Sequence, residues 1–347
     1  MIISHEFILT LQKLRGFGPK KIEVIAQAIA ESQFKTMSLE DLFDVLIDLH
    51  KAGRLKGISS FPEFEDIEEA NRKACYIIRK SEELDIKMVS RFDAEFPRNL
   101  LKTVNENGKP DVPVLLFYKG RLSITELPAI AIIGTREPSQ QGRVAGERLG
   151  EFFATHGCNI VSGLAVGCDT AGHRGALKAY TCSPGSGTTA FLAHGLDTIY
   201  PPENKDLAEE IVAKGGLLMS EYPIGEHVNR NYLVNRDRLQ AALADATLVI
   251  QTGVKGGTMH AVNATLAAGK KVYAVEYNQF IPDDRDAGNK WLINSGRAIP
   301  MRSHDMGVLL QDLRYEYYPQ RSKSEDDSKN DDLPHDPDYP QGTLFNN

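Results

Sequence analysis

The sequence predicts an α/β protein built on a mostly parallel sheet, and three observations carry that prediction. Short apolar runs rich in β-branched residues recur between residues 129 and 275. Segments with helical spacing of apolar residues separate them, as parallel strands joined by crossover helices require. Gly, Pro, Asn and Asp cluster where one pattern gives way to the next.

Taken in order, residues 5–85 read as helical, with apolar positions at Phe7, Ile8, Leu11 and Leu14 and then Ile22, Ile25 and Ile29. Between these stands Leu14-Arg15-Gly16-Phe17-Gly18-Pro19-Lys20-Lys21-Ile22. Two helices joined by a Gly-x-Gly hairpin resemble a helix–hairpin–helix (or SAM-like) module. Such a hairpin holds one backbone phosphate without reading sequence, which would give Gly16, Gly18, Lys20 and Lys21 phosphate contact. The other reading leaves the glycines as turn residues of a packing hairpin. Residues 86–128 connect this segment to the sheet, and the apolar run ending at Gly120 is expected to extend the sheet edge.

Strands are then expected at 129–133, 158–162, 188–192, 217–220, 246–251 and 271–275. Helices are expected at 140–156, 169–180, 204–214, 235–244 and 258–268. The first strand ends in Ile133-Gly134-Thr135-Arg136-Glu137-Pro138-Ser139. Gly134 permits a tight turn, and the helix beyond Ser139 points an amide-rich, anion-favouring end at the strand tips. The G-x-G-x-x-G fingerprint and its ribose-binding acid are absent, so no NAD site and no other cofactor is expected.

Ligands on such sheets bind beyond the carboxyl ends of the strands, and the unusual residues gather there. Ser162 and Gly163 open a loop, closed by Gly167, whose backbone can approach a phosphate. Asp169 reads as the cap of the next helix, and His173 as a packing or hydrogen-bonding residue. Tyr200-Pro201-Pro202 reads as a rigid turn whose aromatic could stack on a base but is more commonly a buried anchor, and Asn204 as a cap. Arg230, Arg236 and Arg238 precede an Ala- and Leu-rich run without alternating with acids, which favours a phosphate site at this arginine cluster, Arg236 and Arg238 included. Lys255-Gly256-Gly257-Thr258 opens a helix as a phosphate cradle. The P-loop order G-x-x-x-x-G-K-[ST] fails there, so ATP hydrolysis has no support. A last helix is expected to end at Gly296, with Trp291 in the core.

At 347 residues the chain can bury a large core. No apolar run reaches the length of a membrane span, and the first residues lack a secretion-signal pattern. Cys75, Cys158, Cys168 and Cys182 show no metal-ligand spacing, so no metal site is expected and a reducing cytoplasm is. The net charge of −7 is concentrated in residues 322–347, which carry −5 and leave −2 on the rest. A near-neutral body can still hold a basic groove. The expected organisation is a helical segment over 1–85, the sheet region over 86–315 and a disordered acidic tail over 316–347.

These motifs, in this order, resemble the DNA-processing protein A family (DprA, also called Smf) over roughly residues 90–300. The words that carry it are Ile133-Gly134-Thr135-Arg136, Ser162–Leu177, Gly195–Asn204 and Gly288–Ala298. The resemblance implies a Rossmann-like fold, homodimers, base-independent binding of single-stranded DNA, loading of a RecA-type recombinase, and no catalytic step. It assigns DNA contact to Gly134, Arg136, Ser139, Ser162, Gly163, Arg236, Arg238, Lys255, Gly257 and Thr258. The chain departs from the family in placing Asp237 between two arginines and in ending on the acidic tail instead of a winged helix. Its tail residues Gln341, Leu344 and Phe345 resemble a peptide that docks on the bacterial sliding clamp. Two further readings are a nucleotide-binding sensor or phosphoribohydrolase, and an antitoxin or phage-defence partner. The hydrolases of that kind carry a Glu after their Gly-Gly-x-Gly-Thr turn, whereas Met259, His260 and Ala261 follow Thr258 here.

Overall fold

A computed structural model describes residues 3–32, 37–180, 187–278, 281 and 284–317. Four helices come first: α1 (His5–Lys13), α2 (Pro19–Glu31), α3 (Leu39–Lys51) and α4 (Phe64–Glu83). Ser4 caps α1 by accepting from the Phe7 amide at 3.2 Å, and Ser38 with Asp41 forms a capping box on α3. Gly16 sits at φ +88°, and Pro19 opens α2, so the hairpin has the turn chemistry its sequence foretells.

The sheet region follows as β1 (Lys87–Ser90), β2 (Leu115–Gly120), β3 (Ala129–Ile133), α5 (Gln140–Thr155), β4 (Asn159–Ser162) and α6 (Cys168–Ala179). It continues as β5 (Gly187–Phe191), α7 (Lys205–Ala213), β6 (Leu217–Ser220), α8 (Arg230–Leu243), β7 (Ala246–Val249) and α9 (Thr258–Ala267). It closes with β8 (Lys271–Val275), α10 (Ala287–Asn294), β9 (Ile299–Met301) and α11 (Met306–Tyr317). The strands form one sheet in the order β1-β2-β6-β5-β4-β3-β7-β8-β9. The two pairings made by β2 are antiparallel and the rest are parallel.

The fold is thus the α/β class expected, with three local corrections. β2 is not the edge, because the four-residue β1 pairs outside it. β9 and α11 were not foreseen, and three residues as short as Ile-Pro-Met give no periodicity to read. α8 starts at Arg230, ahead of the expected 235, because Asn229 caps it by accepting from the Tyr232 amide at 2.9 Å.

β3, β4 and β7 are buried throughout, as central parallel strands covered on both faces must be. One buried cluster joins Leu149 and Phe153 of α5 to Ile130 and Ile132 of β3, and each such side chain contributes roughly 1.5–3 kcal/mol. A second cluster lies among β2, β3, β7 and α8 to α10. A third runs from Ile8 and Leu42 in the N-terminal helices to Leu115 and Phe117 of β2, so helices and sheet share a core.

α5 and α6 meet backbone to backbone. A Cβ on Gly175 would stand 2.0 Å from the Glu147 carbonyl oxygen, and one on Gly150 would stand 2.4 Å from that of Gly172. Only glycine fits at such a seam. Among the described residues, no helix is long and apolar enough to cross a membrane. The tail, with Gln341, Leu344 and Phe345, lies outside the described residues.

Candidate nucleic-acid interface

The strand order reverses at β3, which lies between β4 on one side and β7 on the other. Open α/β sheets leave a crevice beyond the strand ends at such a point. Here the crevice is a cavity of about 570 Å³. The turn after β3 supplies Gly134 and Arg136, the start of α8 supplies Arg230, and the loop after β7 supplies Lys255, Gly257 and Thr258.

The crevice depends on close backbone approaches. A Cβ on Gly134 would lie 2.5 Å from the Cys168 Sγ and 2.7 Å from the Gln251 carbonyl oxygen. The Thr135 amide donates to the Gln251 carbonyl at 2.7 Å, and the Cys168 amide donates to the Thr135 carbonyl at 3.1 Å. These bonds lock the exits of β3 and β7 to the start of α6. Asn289 braces the next loop: its amide donates to the carbonyls of Ile250 (2.9 Å) and Val275 (3.0 Å), and its oxygen accepts from the Thr252 amide (2.9 Å). The Gly288-Asn289 motif therefore holds the Lys255–Thr258 turn in place.

Cations at this rim fall into two groups. Arg136, Arg230 and Lys255 are exposed, and among the described residues no hydrogen bond or ion pair engages their side chains. Arg236 is only 6% exposed. It donates to the Phe191 carbonyl at 3.1 Å and pairs with Asp237 at 3.3 Å. Its guanidinium lies over Gly163, where a Cβ would come within 1.3 Å of Nη1. Arg236 thus fills the space in which Gly163 was expected to meet a phosphate. Arg238 does not line the cavity; it makes a two-pronged pair with Glu221 (2.6 and 2.8 Å) and an ion pair with Asp111 (2.6 Å). Its charge is already matched, so its expected DNA contact gives way to a structural clamp.

Two expected contact residues are likewise turned inward. Ser162 donates to the Ile132 carbonyl at 2.6 Å and is fully buried. Ser139 caps α5 by accepting from the Gly142 amide (3.1 Å) and holds Gln251, whose Oε1 accepts from the Ser139 amide (2.7 Å). Gly134, Arg136, Arg236, Lys255, Gly257 and Thr258 do border the cavity. In the hairpin, Lys21 is spent on the Gly16 carbonyl (2.7 Å), while Lys20 stays exposed.

The carboxyls of the cavity explain its electrostatics. Asp169 is not the cap of α6, a position held by Gly167; it accepts from the amides of Gly163 (3.1 Å) and Ala165 (3.3 Å) and folds the loop back. Burial raises its pKa, opposed by Arg236. Burial likewise pushes the Asp237 carboxyl up to about 7, with Arg236 again pulling the other way. His173 bonds Thr188 at 2.7 Å inside the core, and burial lowers it to about 3, which fits the hydrogen-bonding role expected of it.

Asn204 makes no cap bond to its helix; its amide donates to the Leu164 carbonyl at 2.8 Å. That bond supports Leu164 at φ +58°, a costly conformation for a residue with a side chain. Tyr200 is 41% exposed, not a buried anchor. Trp291 is also surface-lying, because the short α10 buries only Gly288, Asn289 and Leu292; Arg297 covers its ring at 5.3 Å. Arg230, one of the three arginines whose placement favours a phosphate site, also borders the cavity, as does His260, which no sequence motif marks as a site residue. The cap signal at Asn229 would have placed Arg230 on an exposed first turn.

Fold and site together define a Rossmann-like protein whose switch-point crevice is rimmed by free cations. The profile of the DNA recombination-mediator protein A family matches residues 87–311, and the chain belongs to that family. It is 32% identical to protein Smf of Synechocystis sp. over 219 residues, 62% of this chain and 51% of that protein. It is 33% identical to DNA processing protein DprA of Streptococcus pneumoniae over 196 residues, 56% of this chain and 66% of that protein. The matches thus span about half to two-thirds of these relatives. The structure of DprA from S. pneumoniae superposes with a TM-score of 0.68 at 27% identity, covering 89% of this chain and 98% of that one. A structure addressing the single-stranded DNA binding mode of DNA processing protein A from Helicobacter pylori gives 0.56 at 25% identity, covering 67% and 97%.

Proposed function

We propose that this chain binds single-stranded DNA through the switch-point crevice and acts in DNA processing and recombination without a catalytic step of its own. The observation that carries this reading is the set of exposed, unengaged cations, Arg136, Arg230 and Lys255, around one cavity. They would neutralise backbone phosphates, with Gly257 and Thr258 at the uncapped start of α9 adding amides. Asp237 pairs with Arg236 at 3.3 Å and Asp169 accepts from the Gly163 and Ala165 amides, so both carboxyls are engaged within the protein, which supports a binding crevice over paired acid–base chemistry. A homodimer and a RecA-type recombinase partner complete the reading, drawn from family membership. Lys20 and the Gly16–Gly18 hairpin offer a weaker, secondary phosphate contact.

The test is fluorescence anisotropy with single-stranded DNA, duplex DNA and RNA across a salt series. Arg136→Ala, Arg230→Ala and Lys255→Ala combined should lower single-strand affinity at least tenfold and reduce the salt slope by about 2, at roughly 0.7 per lost contact. Unchanged affinity in the triple variant would end the reading. A second reading rests on the cavity volume of about 570 Å³, which suits a small ligand as well as a strand. Binding of a nucleoside monophosphate with no DNA binding, or release of free base from it, would favour that sensor or hydrolase.

A further inference from the structure

A second cavity opens on the far side of Arg136, about 170 Å³ in volume. Its wall comes from the first two turns of α5, from Thr170 to Arg174 of α6 and from the turn at Gly167. Arg136, Arg143 and Arg174 line it, and among the described residues no hydrogen bond or ion pair engages these three side chains. The acid in the wall, Glu147, is matched by Lys178 at 2.7 Å. Arg143 and Arg174 sit on different helices, and the glycine contacts between those helices hold them at one mouth. Like charges gathered in this way repel one another and are not explained by packing, since Arg143 and Arg174 are both exposed.

We infer that this second cavity is a phosphate subsite, continuous with the first across Arg136, and that it carries the strand out of the crevice toward Arg143 and Arg174. The inference rests on the single-strand reading above and adds a direction to it. Arg136 borders both cavities, so one guanidinium stands at the boundary and a strand passing it has cations on either side. Guanidinium groups suit this task because their planar donors grip phosphate oxygens in pairs. The ligand class is a single-stranded polynucleotide, held by its phosphodiesters and not by its bases.

The experiment compares the full chain with the double variant Arg143→Gln and Arg174→Gln, which keeps the aliphatic stems. Two oligonucleotides are titrated across a salt series: one of about 4 nucleotides, enough for the first cavity, and one of about 20. Loss of both contacts should weaken the longer strand about tenfold and reduce its salt slope by about 1.4, while the short strand binds as before. Equal affinity and slope for the longer strand in variant and wild type would overturn the inference while leaving the crevice reading intact. Equal losses on both strands would also overturn it, because the two cavities would then not be successive. A wild-type chain that binds neither strand would instead sink the crevice reading.

Discussion

Two sets of basic residues gather near the strand ends, and they do opposite work. Arg236 is buried and Arg238 half-buried, held by Phe191, Asp237, Glu221 and Asp111. Arg136, Arg230 and Lys255 face the cavity with no such partners among the described residues. The first set organises the rim; the second is what a polyanion would meet. The difference is one of tertiary pairing. A guanidinium already fitted to a carboxylate adds little to a phosphate, whereas one held only by water has its full charge to offer.

Three substitutions sharpen the contrast. Arg236→Ala has the largest expected effect, because it leaves Asp169 and Asp237 facing each other without their cation; unfolding free energy in urea should fall by about 3 kcal/mol. No loss of stability would mean Arg236 is a ligand residue and not a brace. Arg238→Lys comes next. It removes the fork that grips both oxygens of Glu221, so stability should fall by about 1 kcal/mol while DNA affinity stays constant. A selective loss of affinity would return Arg238 to the binding set.

Asp237→Asn has the smallest expected effect and concerns pH. The Asp237 carboxyl, raised to about 7, is neutral below that value and negative above it. Wild-type affinity for DNA should therefore weaken as pH rises through about 7, and the Asn variant should lose that part of the dependence and bind a few-fold tighter at high pH. Identical pH profiles in wild type and Asp237→Asn would remove Asp237 from the electrostatics of binding.

The alternation of strands and helices was legible because central strands such as Ile130–Ile133 carry unbroken apolar runs that only burial on both faces explains. The location of the site was legible too, since glycines and cations gathered at strand ends. Which cations were free was not. Arg230, Arg236 and Arg238 look alike in sequence, and their roles separate only when Glu221, Asp111 and the Phe191 carbonyl arrive from distant segments. The same holds for Asp169 and Asn204, whose cap-like positions are overridden by loop bonds to Gly163 and Leu164. Tyr200 and Trp291 lie at the surface although aromatic residues are buried on average, and nothing local in the sequence marks these two places.

The glycine seam between α5 and α6 has a mechanical consequence. Where the two backbones meet at glycines little can slide or repack, and the turns that carry Arg143 and Arg174 are held together. On the single-strand reading, the protein side of the proposed track would then be largely preformed before a strand arrives. The entropy lost on association then falls mainly on the flexible nucleic acid, which favours a binder that accepts many sequences over one that moulds itself to a single one.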